Sequence, residues 1–246
     1  MRLDLYLVEQ NYTKTRSQAT DLIKRGFVEV DGAIITKAGY EVETPFIKIK
    51  DKDAFVGRGG DKLKGAILDF KLSFDGKIMI DIGSSTGGFT DCALQHGAKK
   101  VYAYDVGRDQ MDETLKLDQR IELHEETNIL DVQLPEADII TIDVSFTSII
   151  PIMKHIKGFE HEIIALIKPQ FEVGHVSFKK GVLKDIKKHE KILYAVLTDI
   201  QMLGFHLSGL KKSQIKGKMG NQEYLLYTNK NDVHISIDHL VRGVLC

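Results

Sequence analysis

The sequence predicts an α/β protein in which a small N-terminal α/β unit precedes a larger one built on a mostly parallel seven-stranded sheet. Three observations carry this. Short apolar runs rich in β-branched residues, such as Ile78-Met79-Ile80-Asp81-Ile82 and Ile139-Ile140-Thr141-Ile142, recur between stretches of helical periodicity. The first run breaks into Gly83-Ser84-Ser85-Thr86-Gly87-Gly88-Phe89-Thr90-Asp91 and resumes as Cys92-Ala93-Leu94, the pattern of strand, loop and helix. Residues 1–50 carry their own helix, cap and hairpin signals. A length of 246 residues suits one large or two unequal domains, and the signals divide it into 1–50, a linker 51–57 and 58–246.

In the first unit, Arg2-Leu3-Asp4-Leu5-Tyr6-Leu7-Val8 has apolar residues at helical spacing. Thr15-Arg16-Ser17-Gln18 fits a capping box, with Thr15 as N-cap, and Ala19, Leu22 and Ile23 supply the apolar face of the helix that follows. Gly26 stops it. Phe27 to Ile35 alternates as a strand pair turning at Asp31-Gly32. Arg16, Lys24 and Arg25 sit at the two ends of the second helix, where cations can meet phosphates.

The second unit opens with Arg58-Gly59-Gly60-Asp61-Lys62 and a helix from about Asp61 to Phe70. In the glycine-rich loop after Ile82, glycines permit close backbone approach to a ligand, and the N–H groups that open a helix favour an anionic group. The spacing does not fit the dinucleotide fingerprint. Val101 to Asp105 is a second strand whose terminal acid, twenty-four residues after Asp81, stands where such folds place a carboxylate on ribose hydroxyls. Ile121-Glu122-Leu123-His124 is a third, with Asn128 following. Ala137 to Asp143 is a fourth and Glu162 to Ile167 a fifth, ending in Asp143 and Lys168 at the edge where ligands of parallel sheets collect. A basic tract from Lys179 to Lys191 leads into a helix with Ile186, Leu193, Val196, Leu197 and Ile200 on its inner face. Two final strands lie near Leu207–Leu210 and Glu223–Tyr227, and one antiparallel strand is expected at the sheet edge.

A net charge of −1 hides an asymmetry: from Asp75 to Asp143 acids outnumber Lys and Arg fifteen to six, whereas from Lys168 to Gly220 eleven lysines face four acids. A basic region beside a ligand loop favours a polyanionic partner. No apolar stretch approaches the roughly 18 to 20 residues of a membrane span, and no signal-peptide core opens the chain, so a cytoplasmic protein is expected. Cys92 and Cys246 are expected as free thiols, and the nine scattered histidines give no metal-ligand spacing, so no metal is expected.

Several stretches resemble known families. Asp81-Ile82-Gly83-Ser84-Ser85-Thr86-Gly87 is similar to motif I of S-adenosylmethionine-dependent methyltransferases, which makes S-adenosylmethionine the implied cofactor and Asp81, Gly83, Ser84, Ser85, Gly87, Gly88, Phe89, Thr90, Asp105, Asn128 and Asp143 its implied contacts. Arg2-Leu3-Asp4, Thr15 to Ala19, Leu22 to Gly26 and Val28 to Gly32 resemble an S4 domain, an RNA-binding module. This implies structured RNA as partner, with Arg2, Arg16, Lys24, Arg25 and Arg58 as RNA contacts. Amino-group methyltransferases carry Asn or Asp, two prolines and an aromatic after the fourth strand. Asp143-Val144-Ser145-Phe146 lacks the prolines, and no cysteine ends a strand as nucleophile, which favours oxygen methylation.

Lys62, Asp143, Lys168 and Glu223 resemble in order and context the Lys-Asp-Lys-Glu tetrad of FtsJ-type ribose 2′-O-methyltransferases. With Lys168-Pro169-Gln170-Phe171-Glu172, Gly181-Val182, Asp185 and His189, the whole chain is similar to the hemolysin A family, TlyA. The resemblance implies a Rossmann-like catalytic domain that methylates a ribose 2′-hydroxyl, of cytidine, in ribosomal RNA, with ribosomal subunits as partners. Lys168 is the expected acceptor of the hydroxyl proton, helped by the second ammonium of Lys62, with Asp143 as orienter and Glu223 holding a lysine or the ribose. The alternatives are a cytolysin, as the family name has it, a non-catalytic ribosome-binding factor, and a small-molecule O-methyltransferase. The absence of a lytic or spanning segment weighs against the first, the intact tetrad against the second, and the S4-like unit and lysine-rich region against the third.

Overall fold

Leu3 and Leu7, one helical turn apart, turn one side of α1 (Leu3–Glu9) into a core completed by Ala19 and Ile23 of α2 (Arg16–Lys24) and by Val28, Val30, Val42 and Ile47. The computed structural model describes residues 1–13, 15–49, 55–172, 182–217 and 219–245, and the chain divides into two units, Met1–Gly57 and Arg58–Cys246. Residues 51–54 of the linker, Lys179, Lys180 and Gly181 of the basic tract, Lys218 and Cys246 lie outside the described residues.

Both halves of the capping box form: Thr15 Oγ1 accepts the Gln18 N–H at 3.2 Å, and Gln18 Oε1 accepts the Thr15 N–H at 3.1 Å. Strands β1 (Val28–Val30) and β2 (Ala33–Ile34) pair antiparallel across Asp31 and Gly32, whose φ values of 51° and 86° are those of a tight hairpin turn. Strand β3 (Ile47–Ile49) pairs with the other side of β1.

In the second unit, α3 (Arg58–Phe70) precedes β4 (Ile78–Ile82), α4 (Gly88–Gln95), β5 (Lys100–Tyr104), α5 (Glu113–Lys116), β6 (Ile121–His124), β7 (Ile139–Ile142), α6 (Ile150–His155) and β8 (Glu162–Ile167). Then come α7 (Pro169–Glu172), α8 (Ile186–Met202), β9 (Leu207–Lys212), β10 (Tyr224–Thr228) and α9 (Ile237–Leu245). The sheet order is β6-β5-β4-β7-β8-β10-β9, with β4 to β8 parallel. Here the structure corrects the sequence reading. The antiparallel strand is β10, and it is internal; the edge strand β9 runs with the others. After β8, the chain crosses by α8 and so returns parallel, while the short connection to β10 forces that strand to reverse. Inserted between β8 and β9, β10 is buried at every residue, which explains its unbroken Tyr-Leu-Leu-Tyr run.

Leu193, Val196, Leu197 and Ile200 of α8 face the sheet as expected, but Ile186 is exposed and His189 takes the inner place. Its Nε2–H donates to the Leu183 carbonyl at 2.8 Å, so Nδ1 accepts from the Tyr224 hydroxyl at 2.9 Å. Each large apolar side chain on this face contributes roughly 1.5–3 kcal/mol by leaving water. The register places the site: Ile82 pairs with Ile142, and Ile167 with Tyr224, so Gly83, Asp143, Lys168 and Glu223, one residue further on or back, share one sheet edge.

Candidate active site

At that edge four charges form a chain. Lys62 Nζ lies 2.7 Å from Glu223 Oε2 and 3.6 Å from Asp143 Oδ2, and Lys168 Nζ lies 2.5 Å from Asp143 Oδ1. The side chains are 9 % (Lys62), 3 % (Glu223), 16 % (Asp143) and 7 % (Lys168) exposed. Desolvating two ammonium and two carboxylate groups is expensive, and a buried network of this kind is weak as a stabilising device compared with apolar packing. Its place at the carboxyl edge of a parallel sheet makes it a candidate for chemistry.

Lys62 arrives there because α3 and α4 cross at glycines. A Cβ on Gly88 would lie 2.9 Å from the Gly60 nitrogen, and one on Gly59 3.2 Å from the Phe89 ring. Gly83, at φ +84°, has Asp143 O 2.7 Å from where its Cβ would stand, and Gly87, at φ +90°, has Leu115 Cδ1 at 2.3 Å. The sequence reading gave these glycines to ligand approach; in the structure they first let protein segments meet.

The remaining loop residues divide into support and surface. Asp81 and Thr90 are fully buried: the carboxylate takes the Thr141 hydroxyl at 2.8 Å and the Thr90 hydroxyl at 2.7 Å. Burial pushes its pKa up to about 6, against the pull of these hydroxyls. They brace the loop from within. Asp105 accepts the Ser85 N–H at 2.8 Å and the Gly107 N–H at 2.7 Å, one on each oxygen, which leaves lone pairs on both. Asn128 Oδ1 accepts the Leu130 N–H at 3.1 Å, and Thr127 N–H donates to the Asp105 carbonyl, so the Asn128 segment is tied to Asp105. Ser84 Oγ is buried without a hydrogen-bond partner among the described residues, and α4 opens beside it with the free N–H groups of any helix start. An orphaned hydroxyl, a helix start and a carboxylate with open lone pairs suit a ligand that carries a carboxylate and a ribose, as S-adenosylmethionine does.

Of the cations assigned to RNA, Arg2 and Arg16 are exposed and share one acid: Arg2 Nε to Asp4 Oδ1 is 2.9 Å and Arg16 Nε to Asp4 Oδ2 is 2.8 Å. These bonds hold the Asp4 pKa down at about 2. Lys24 is exposed. Arg25 is turned inward, its guanidinium 4.5 Å over the Phe27 ring and donating to the Phe55 carbonyl at 3.2 Å. Arg58 donates to the Lys216 carbonyl at 3.4 Å.

Three further residues lie in stretches that the sequence reading names without giving them a role of their own. Ser145 Oγ accepts from Lys168 Nζ at 2.9 Å. Phe146 is 89 % exposed at φ 66°, its ring 5.3 Å from that of Phe171. Glu172 binds the Ser148 hydroxyl at 2.6 Å and the Ile149 N–H at 3.0 Å, and burial pushes its pKa up. A left-handed backbone at an exposed phenylalanine is the one signal that stands out, and no sequence pattern encodes it.

A charged tetrad beside a glycine-rich loop at the carboxyl edge of a seven-stranded sheet defines a methyltransferase class, and the comparisons agree. The FtsJ-like methyltransferase model matches residues 55–230, and the S4 domain model matches 1–44. Hemolysin A of Brachyspira hyodysenteriae is 42% identical over 241 residues, covering 92% of this chain and 99% of that one. A Mycobacterium tuberculosis relative, the 16S/23S rRNA (cytidine-2'-O)-methyltransferase TlyA, is 36% identical over 238 residues, covering 92% and 88%. A solved Streptococcus thermophilus structure that carries the designation hemolysin superposes with a TM-score of 0.74 at 35% identity, covering 99% of this chain and 94% of that one. The chain belongs to the hemolysin A and TlyA family of FtsJ-like methyltransferases.

Proposed function

We propose that the protein transfers a methyl group from S-adenosylmethionine to a ribose 2′-hydroxyl of ribosomal RNA, with cytidine as target on the example of the mycobacterial relative. The observation that carries this is the Lys62–Glu223 and Lys168–Asp143 network, buried beside the Gly83–Gly88 loop. When bound, the cofactor supplies a methyl group already activated on sulfur. Asp105 would hold its ribose, the loop from Ser84 through Phe89 and the start of α4 its carboxylate, and Asn128 its adenine. Asp81 and Thr90 keep that loop in shape.

A ribose hydroxyl is a poor nucleophile at neutral pH, so the chain's task is alignment and custody of one proton. Lys168 Nζ receives that proton. Asp143 fixes Lys168 and shares its other oxygen with Lys62. Glu223 anchors Lys62. For the sugar to reach this recess, the nucleotide leaves its stack, and the exposed Phe146 ring offers its base a new stacking partner. Arg2, Arg16 and Lys24 in the first unit would meet phosphates, as would Lys184, Lys187, Lys188, Lys211, Lys212 and Lys216, which enter no ion pair among the described residues. The division into an RNA-binding unit 1–50, a linker 51–57 and a catalytic unit 58–246, and action in the cytoplasm where ribosomes are, belong to the same proposal. Among the described residues no helix is long and apolar enough to cross a membrane.

The test is tritium transfer from labelled S-adenosylmethionine to small subunits, large subunits, assembled ribosomes and naked RNA from a strain lacking the gene. Wild type is expected to label RNA and Lys168→Ala to leave it unlabelled. Failure to label any of them despite cofactor binding would favour a non-catalytic ribosome-binding role.

A further inference from the structure

We propose that Ser145 is a positioning residue of the methyl transfer: it accepts a hydrogen bond from Lys168 Nζ and, with the Asp143 carboxylate paired to the same nitrogen, keeps Nζ turned toward the incoming hydroxyl. The inference rests on the reading of Lys168 as proton acceptor. Lys168 Nζ has two oxygen partners, Asp143 Oδ1 at 2.5 Å and Ser145 Oγ at 2.9 Å. A neutral amine carries two N–H bonds and one lone pair. The Ser145 bond commits one N–H and the Asp143 charge holds the nitrogen beside it, which narrows the directions left to the lone pair; with the Asp143 ion pair alone, the amine would turn, and the lone pair would face the substrate only part of the time.

The Ser145 hydroxyl is placed by construction. Its loop is fixed at the start, where the Asp143 N–H donates to the Ile82 carbonyl at 3.0 Å and the Asp143 carbonyl packs on Gly83. The end is fixed by Glu172, which binds Ser148 and Ile149. Glu172 lies four residues after Lys168, so the segments bearing serine and lysine are cross-braced, and the Phe146 and Phe171 rings add a second brace. Ser145 itself is exposed, on the side from which a substrate can enter.

In the transfer, the hydroxyl O–H bond breaks as an N–H bond forms on Lys168. The oxygen bonds to the methyl carbon, and the sulfur–methyl bond breaks with its electron pair left on sulfur. Lys168 leaves the step as an ammonium and returns its extra proton to water.

The experiment measures turnover, both Michaelis constants and melting temperature for Ser145→Ala, Ser145→Cys and Ser145→Thr beside Lys168→Ala. Ser145→Ala is expected to lose roughly ten- to a hundredfold in kcat, with both KM values within about twofold and melting unchanged. Ser145→Cys, of nearly the same shape but a weak acceptor, is expected to fall likewise, and Ser145→Thr, which keeps the hydroxyl, to recover most of the rate. Wild-type kcat in both Ser145→Ala and Ser145→Cys with an inactive Lys168→Ala would overturn the role of Ser145 and leave that of Lys168 standing. A rise in the RNA KM with kcat unchanged would also overturn it, making Ser145 a substrate contact. An active Lys168→Ala would instead sink the reading on which the inference rests.

Discussion

Asp4 in the N-terminal unit holds Arg2 at 2.9 Å and Arg16 at 2.8 Å, and Asp143 in the catalytic unit holds Lys168 at 2.5 Å and Lys62 at 3.6 Å. Each is one carboxylate bridging two cations. The solvent around the cations differs: the arginine side chains are 43 % and 57 % exposed, the lysines 9 % and 7 %. Guanidiniums left in water keep their charge and, on the proposed function, would present it to RNA, while the acid sets their spacing. The lysines, taken out of water, are held by their acids at the sheet edge where the proposed function places the transfer. On the proposed function, the same local arrangement would serve binding in one unit and chemistry in the other, with burial as the difference between them.

The largest expected effect breaks the catalytic member. Asp143→Asn removes the orienting charge from both lysines, and single-turnover methyl transfer is expected to fall by roughly a thousandfold, with rRNA affinity unchanged in a filter-binding assay. Equal losses of both would dissolve the comparison. Next comes Asp81, raised to about 6 by burial. Its contribution favours the fold fully below the ordinary aspartate range and is lost as pH rises through about 6, a change of up to about 3 kcal/mol. Melting of the catalytic unit should thus decline over that interval, and Asp81→Asn should flatten the slope; an unchanged slope in the variant would show that another group sets it.

Asp4 runs the other way. Its pKa, held at about 2 first by the Arg2 hydrogen bond, gives stability present above the ordinary aspartate range and lost as pH falls toward about 2. With both guanidiniums substantially in water, we expect about 1 kcal/mol, read as an acid-induced loss of the N-terminal unit's helical signal that Asp4→Asn removes. The smallest effect is Arg16→Gln, expected to reduce the slope of log K against log salt for rRNA binding by roughly 0.7 to 0.9 without altering kcat at saturating RNA.

What was legible in the sequence was whatever is encoded locally or by residue type. The capping box at Thr15 and Gln18 and the hairpin at Asp31-Gly32 depend on neighbours a few residues away, and the structure forms both. The tetrad members each sit beside a strand end or helix start, and the structure brings all four together. What escaped depends on long-range placement. The insertion of β10 inside the sheet follows from how α8 crosses over, which no short window reveals. Gly88 meets Gly60 across a helix crossing, and Arg25, at a helix end that reads as surface, turns onto Phe27. Ser145 is a single hydroxyl whose meaning comes only from Lys168, twenty-three residues on.

The most direct measurement locates the transferred methyl. rRNA incubated with wild-type protein and S-adenosylmethionine deuterated in its methyl group is digested to nucleosides and fragmented by mass spectrometry. The account predicts that the label stays with the sugar fragment and disappears in Asp143→Asn; label that travels with the base would contradict it.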